Sequence, residues 1–312
     1  MNRTTENKII LIVRKTRLDE LISRHTTRSQ AQFYVEHLGA DFSDYLREHQ
    51  RYQEMTARAG EILSDLGRLQ VLDRAFLPNF LFGETDTVVV LGQDGLVANT
   101  LKYLNRQPVV GVNPDPGRWD GVLLPFTVPD LPKVIPDLFD GRRKIRTITM
   151  AQASLNDGQV LYGVNDLFIG PKSHTSLRYS IRQAKQKENQ SSSGIIVSTG
   201  LGSTGWLKSI LAGAQGIAKA QMSGKSSTAV PSNFPWDARF LYYSVREPFP
   251  SRTSSANMVF GKVTLENPLH LVSETPDTGV IFSDGIEKDF IQFPSGMEAV
   301  ISVSARVGQL VI

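Results

Sequence analysis

The sequence predicts a Rossmann-like α/β domain built on a parallel sheet, followed by a mainly β domain of β-sandwich type. Three observations carry this expectation. In the first half, short β-rich runs alternate with stretches of helical periodicity, the pattern of strands joined by crossover helices. Beyond residue 145 the texture changes to closely spaced β-rich runs separated by turn residues. At 312 residues, with 40% hydrophobic and 21% charged side chains, the chain is also long enough to bury more than one core.

The β-rich runs of the first half are KIILIV (8–13), RLQVLD (68–73), DTVVVL (86–91) and PVVGV (108–112). Residues 29–67, from SQAQFYVEHL to EILSDLG, lie between the first two and carry a helical period. PDLPKVIPDLFDGRRK (129–144) reads as a helix that closes the domain. Open α/β sheets bind ligands beyond the carboxyl ends of their strands, so the loops after Leu91 and Val112 are the first places to look for chemistry. In the second half, IRTITM, VLYGVNDLFIG, LRYSIR, GIIVST, LYYSV, MVFGKVT, GVIFSDG and EAVISVSARVGQLVI read as strands. Two polar stretches, QAKQKENQSSSG (183–194) and SGKSSTAVPSN (223–233), read as solvated connections. The expected division is therefore 1–145 and 146–312, with the C-terminal tail able to return to the first domain. No internal repeat is visible.

Composition excludes several classes of function. No cysteine occurs, which removes disulfide frameworks, thiolate metal sites and cysteine nucleophiles. The five histidines, His25, His37, His49, His174 and His270, show no ligand-like spacing, so no protein-built metal site is expected. The 34 basic residues are nearly balanced by 31 acidic ones, leaving a formal charge of +3. Without a dense basic run this argues against nucleic acid, while anionic nucleotides suit a mildly basic protein. The apolar run Ile9–Val13 is too short for a signal-peptide core or a membrane span, so no membrane association and a cytoplasmic location are expected.

Two glycine motifs compete for attention. STGLGSTGW (198–206) places Gly200, Gly202 and Gly205 in the register G-x-G-x-x-G, yet it lies deep in the β-rich half. The next acid after it is Asp237, so the ribose-binding acid of a dinucleotide fingerprint is missing from its place; a plain strand-to-helix turn explains the glycines equally well. The stronger signal is DTVVVLGQDGLVANTLKYL (86–104). There an apolar strand runs into Gly92, Gln93, Asp94 and Gly95 and then into a helix, which surrounds a carboxylate with backbone N–H groups suited to phosphate. Asp94 fits such a place if it coordinates Mg²⁺ or takes a proton from an attacking hydroxyl. A turn or N-cap aspartate is the competing explanation.

Taken in order, these segments resemble the NAD kinase superfamily, which includes diacylglycerol and sphingosine kinases. LGQDGLVA is similar to its GGDG loop, VVGVNPDP (109–116) to its second loop, and VNDLFIG (164–170) to its Asn-acid motif. STGLGSTGW resembles its Gly-Ser-Thr loop and FSDG (282–285) its late Asp-Gly turn. An early KTRLDEL-like segment, the N-x-D-P loop and Trp206 resemble most the mitochondrial-type NAD kinases of animals. The resemblance implies transfer of the γ-phosphoryl of ATP, carried with Mg²⁺, to the 2′-hydroxyl of the adenosine ribose of NAD. It implies Asp94 as the base, with Gly92, Gln93 and Gly95 around the ATP phosphates and Asn113 shaping the cleft. It further implies Asn165 and Asp166 on NAD, Ser203, Thr204 and Gly205 bordering adenosine, Trp206 packing on it, and a homo-oligomer. The chain departs from the family at Gln93 (a glycine), Leu96 (a threonine), Asp166 (often glutamate) and Leu201 (often polar). A kinase of sugar or lipid hydroxyls, and an inactive nucleotide-binding regulator, are the alternatives.

Overall fold

The structure, a computed structural model of the chain, describes residues 4–221, 233–286 and 289–312. Two compact units emerge: Met1–Arg146 together with Gln309–Ile312, and Thr147–Gly308. In the first, β1 (Lys8–Val13), β2 (Arg68–Asp73), β3 (Thr87–Leu91) and β4 (Pro108–Asn113) form a parallel sheet in the order β2-β1-β3-β4. Ile9–Ile12 and Val88–Leu91 are fully buried, so both faces of the sheet are covered at β1 and β3, whereas the edge strand β2 is mostly exposed. That is why β1 and β3 read as continuous apolar runs rather than as alternation.

The crossovers are α1 (Arg17–His25), α2 (Arg28–His37) and α3 (Phe42–Leu66) after β1, and α4 (Asp94–Leu101) after β3. Helix α3 presents Tyr52, Met55, Ala59 and Leu63 to the core that holds Ile9, Leu11 and Val89, a stripe at three- and four-residue spacing. A two-residue β5 (Phe126–Thr127) pairs beside the end of β4, and α5 (Leu131–Phe139) adds Leu131, Val134 and Ile135 to the same core. The sequence extends this last helix to 144, but it stops at Phe139. Gly141 takes φ 69°, and the amides of Asp140, Gly141 and Arg142 turn back to the carbonyls of Pro136, Leu138 and Asp137, a glycine-terminated helix end. Gln309 and Leu310 pair in parallel with Pro108 and Val109. Because β2 lies on one side of β1 and β3 on the other, the winding reverses between β1 and β3, the switch point at which such sheets bind ligands.

In the second unit, β6 (Ile145–Leu155), β7 (Val160–Gly163), β9 (Leu177–Gln183), β10 (Gln186–Ser192), β14 (Leu269–Ser273) and β17 (Glu298–Val311) belong to one sheet. The other is antiparallel: β8 (Asp166–Pro171), β11 (Gly194–Ser198), β12 (Leu241–Arg246), β13 (Phe260–Val263), β15 (Gly279–Ser283) and β16 (Phe290–Gln292). A single core takes Ala153, Tyr179, Ile181 and Leu271 from the first and Leu167, Ile169, Val197 and Ile281 from the second; two sheets sharing one core make a sandwich. Helix α6 (Trp206–Gln221) packs Leu207 and Leu211 on Phe234.

One polar stretch is not a loop. Residues 183–194 turn at Ala184 (φ 50°) and return as β10, paired with β9 from Gln183↔Gln186 to Leu177↔Ser192. Its buried side chains are polar but satisfied: the Tyr179 hydroxyl donates to Gln190 Oε1 at 2.6 Å and lies 2.9 Å from Ser192 Oγ. Hydrogen-bonded in this way, they can be buried without an apolar alternation to announce them. Of the other stretch, 223–232 lie outside the described residues. Among the described residues no helix is long and apolar enough to cross a membrane.

Candidate active site

The loop after β3 sits at the switch point. Gln93 is the N-cap of α4 but makes no side-chain cap, so the helix N-terminus offers its amides outward rather than to its own cap residue. A Cβ at Gly92 would come within 2.8 Å of Leu96 Cδ2, whereas one at Gly95 would meet nothing within 4 Å. At Gly92 a side chain would have to displace the end of buried Leu96, whereas Gly95 is not required by any packing inside the protein. Asp94, half-buried at the first turn, accepts a hydrogen bond from the Leu123 amide through Oδ1 at 2.7 Å. Leu123 can come so close because Gly111 in β4 lacks a Cβ, which would collide with the Leu123 carbonyl. Asn113 is spent inside its own loop: Nδ2 donates to the Trp119 carbonyl at 2.9 Å and Oδ1 accepts from the Asp115 amide at 3.0 Å.

In the second unit, a different loop set converges on the turn at 164–166. The Asp284 carboxylate accepts the backbone amides of Val164 (3.0 Å), Asn165 (2.6 Å) and Asp166 (3.2 Å). Its own amide donates to the Asp166 carbonyl at 3.0 Å. From the opposite loop, Thr199 binds the Val164 carbonyl through its hydroxyl (2.6 Å) and the Asn165 carbonyl through its amide (2.9 Å). A Cβ at Gly202 would collide with the Asn165 carbonyl, and one at Gly200 with the Pro235 carbonyl. Two glycines of the G-x-G-x-x-G register therefore serve close approach between backbones. With its backbone held on both sides, Asn165 makes no side-chain hydrogen bond among the described residues and is half-buried.

Asp166 is in a different situation. Its Oδ1 is buried without a hydrogen-bond partner, and burial pushes its carboxyl up to about 7, opposed by the Ser198 hydroxyl and assisted by the neighbouring charge of Asp284. Ser203 is wholly buried, its hydroxyl donating to the Gly200 carbonyl at 2.7 Å, while Thr204 and Gly205 are exposed. Trp206 opens α6 and stacks on Phe168, with centroids 5.7 Å apart and planes 12° apart; the Arg246 guanidinium carbon lies 5.4 Å from the indole centroid. Hence Asp94 and Asn113 share one loop cluster of the first unit, and Asn165, Asp166, Ser203, Thr204, Gly205 and Trp206 share another in the second. Sequence reasoning quoted FSDG without giving Asp284 a role, and it missed Tyr52 and Arg118 altogether. An aspartate before a glycine at the end of a strand is the signal that marks Asp284.

An α/β unit with an uncapped helix N-terminus and a held carboxylate at its switch point, and a separate β-sandwich unit, define the class of fold. No family model matches the chain. A curated NAD kinase from Cupriavidus pinatubonensis is 31% identical over 132 residues, which is 39% of this chain and 42% of the relative, so the chain spans less than half of that relative's length. The solved NAD kinase from Archaeoglobus fulgidus, in complex with ATP, superposes with a TM-score of 0.53 at 14% identity, covering 97% of this chain and 92% of that one. Yeast NADH kinase, complexed with NADH, gives 0.57 at 15% identity over 99% and 84%. The chain has the fold of these solved NAD kinases, and part of its sequence is similar to a curated one. Neither bears on the likeness to mitochondrial-type members.

Proposed function

We propose that the chain is an ATP-dependent NAD kinase, which transfers the γ-phosphoryl of ATP to the 2′-hydroxyl of the adenosine ribose of NAD and yields NADP and ADP. The observation that carries this is the placement of Asp94. One oxygen is held by the Leu123 amide at 2.7 Å, which orients the carboxylate and leaves Oδ2 to accept a proton. Proton transfer from the 2′-hydroxyl to Oδ2 accompanies attack of that oxygen on the γ-phosphorus, as the bond to the β-bridging oxygen breaks and ADP departs. Transfer of this kind depends mainly on positioning and on neutralising charge. The outward amides of α4, and Gly95 with open space above it, let the phosphates approach the backbone, with Gly92 and Gln93 completing the loop.

The acceptor side rests on the second unit. Asn165, with a pinned backbone and an unengaged amide, is suited to read hydroxyl and adenine groups, and exposed Thr204 and Gly205 border them. Ser203 contributes by bracing the loop from within, and Trp206 by its exposed edge. Among the described residues no three His, Cys, Asp or Glu side chains converge as a metal site. Mg²⁺ keeps several waters and phosphate ligands and needs no all-protein cage, so it would not have to occupy the Asp94 oxygen that takes the proton. Mg²⁺ arriving with ATP would neutralise the phosphate charge there. The proposal includes a cytoplasmic location and a homo-oligomeric state.

The test is incubation with Mg²⁺, ATP and NAD, with NADP read by an NADP-specific dehydrogenase, and with NADH and inorganic polyphosphate as alternative acceptor and donor. Formation of NADP at a rate that scales with protein supports the reading. Phosphorylation of a sugar or lipid instead, or nucleotide binding without turnover, overturns it.

A further inference from the structure

The early segment KTRLDEL is absorbed by neither substrate site, and its surroundings show what it does. Along α3, Asp44, Glu48 and Tyr52 recur every fourth residue and so line one face of the helix. Each step of this ladder holds something that leads to Asp94. Asp44 receives Arg118 through both guanidinium ends, Nη1 to Oδ2 at 3.0 Å and Nη2 to Oδ1 at 2.6 Å, and also Arg17 at 2.8 Å. Glu48, nearly wholly buried, receives Arg14 at 3.0 Å and a short contact from Arg17 Nε. The Tyr52 hydroxyl accepts the Arg14 amide and donates to the Leu91 carbonyl, both at 2.9 Å. Arg17 starts α1 directly after Thr16, which caps that helix in a reciprocal pair with Asp19.

The two ends of the ladder therefore meet the two loops that define the base. Leu91 is the residue before Gly92. Arg118 belongs to the turn in which its own amide and that of Trp119 return to the Asp115 carbonyl, in which Asn113 binds Trp119, and which leads through Gly121 to Leu123. Leu123 is the donor to Asp94. Bidentate guanidinium–carboxylate pairing is geometrically specific as well as strong; the Arg118 and Arg17 hydrogen bonds hold Asp44 far below the usual carboxylate range. We propose that the Asp44–Glu48–Tyr52 face of α3, with Arg14, Arg17 and Arg118, is a positioning device that fixes the Asn113–Leu123 loop against Asp94. Its catalytic consequence rests on the reading of Asp94 as the base.

The experiment compares Arg118→Met, which keeps the bulk and removes the fork, with Asp44→Asn, Asp94→Asn and the double variant Arg118→Met with Asp94→Asn. Two readouts are taken on the full chain: amide exchange at Leu123, with Val90 of β3 as an internal control, and steady-state kinetics. Both Arg118→Met and Asp44→Asn should speed Leu123 exchange at least tenfold without moving Val90. They should lower kcat on the order of tenfold, since small misplacements of a reacting group cost that much or more, with both KM values within about twofold. In the Asp94→Asn background Arg118→Met should add almost nothing, and Arg118→Lys should restore part of the loss. Unchanged Leu123 exchange in both single variants overturns the positioning device whatever the activity. Multiplicative losses in the double variant overturn its action through Asp94. A parent that forms no NADP, yet loses Leu123 protection on substitution, overturns the kinase reading and leaves the latch standing.

Discussion

Replacing Asp166 with asparagine should change how stability depends on pH, by an amount the structure sets. Asp166 keeps some surface as a residue, but its Oδ1 is sealed from solvent without a partner, and its carboxyl is pushed up to about 7 by burial first and by Asp284 next, against the Ser198 hydroxyl. Asp284 beside it collects three backbone amides. An unfolded aspartate releases its proton near 3.8. Between about pH 4 and 7 the folded chain consequently holds a proton that the unfolded chain has lost, and stability falls as pH rises. At about 1.4 kcal/mol per pH unit the loss reaches about 4 kcal/mol by pH 8, an upper bound because water penetration around the carboxyl weakens the penalty of burial. Asp166→Asn keeps the shape and cannot titrate. Urea unfolding followed by tryptophan fluorescence at pH 5 and pH 8 should show the variant gaining roughly 1–3 kcal/mol on the parent between the two, the share of the loss that falls in that window. An equal pH response in both proteins, or a parent that gains on the variant as pH rises, would refute the reasoning.

Asp94→Asn should lower turnover by about a hundredfold to ten-thousandfold, the range for general-base assistance, while calorimetry finds NAD affinity nearly unchanged; the amide oxygen can still accept from Leu123. Gly95→Ala should raise the thermal midpoint slightly, because alanine is favoured over glycine in a helix by about 1 kcal/mol. The same change should weaken ATP binding measured by calorimetry, since the open space over Gly95 is where phosphates approach; unaltered ATP affinity removes Gly95 from the site. Thr204→Ile, at an exposed position, should weaken NAD binding and spare ATP binding. Equal loss of both affinities in that variant would mean that the loop acts on folding instead.

The parts of the fold that were legible are those whose chemistry is local. Three of the four parallel strands, β1, β3 and β4, are buried on both faces, and runs such as ILIV and VVVL are the direct mark of that burial. LRYSIR reads as a strand, but its partner at 186–192 was hidden because Gln190 and Ser192 are buried by virtue of a hydrogen bond to Tyr179, and nothing in QKENQSS says where Tyr179 will stand. Asp284 lies 118 residues beyond Asp166 in sequence, so its three amide contacts could not be foreseen from a local turn. The glycines show the same limit from the other side. A ligand phosphate and a neighbouring carbonyl both demand the absence of a Cβ, so sequence cannot tell Gly95 from Gly202. In the structure the two separate cleanly: Gly202 is forced by the Asn165 carbonyl, whereas no atom of the protein forces Gly95. Open space alone does not mark a site, since Gly60, Gly213 and Gly216 in other helices share it; what sets Gly95 apart is its place in the first turn of α4, directly after Asp94. On that combination it is Gly95 rather than the G-x-G-x-x-G register that we assign to the phosphate side, where a helix N-terminus favours an anion.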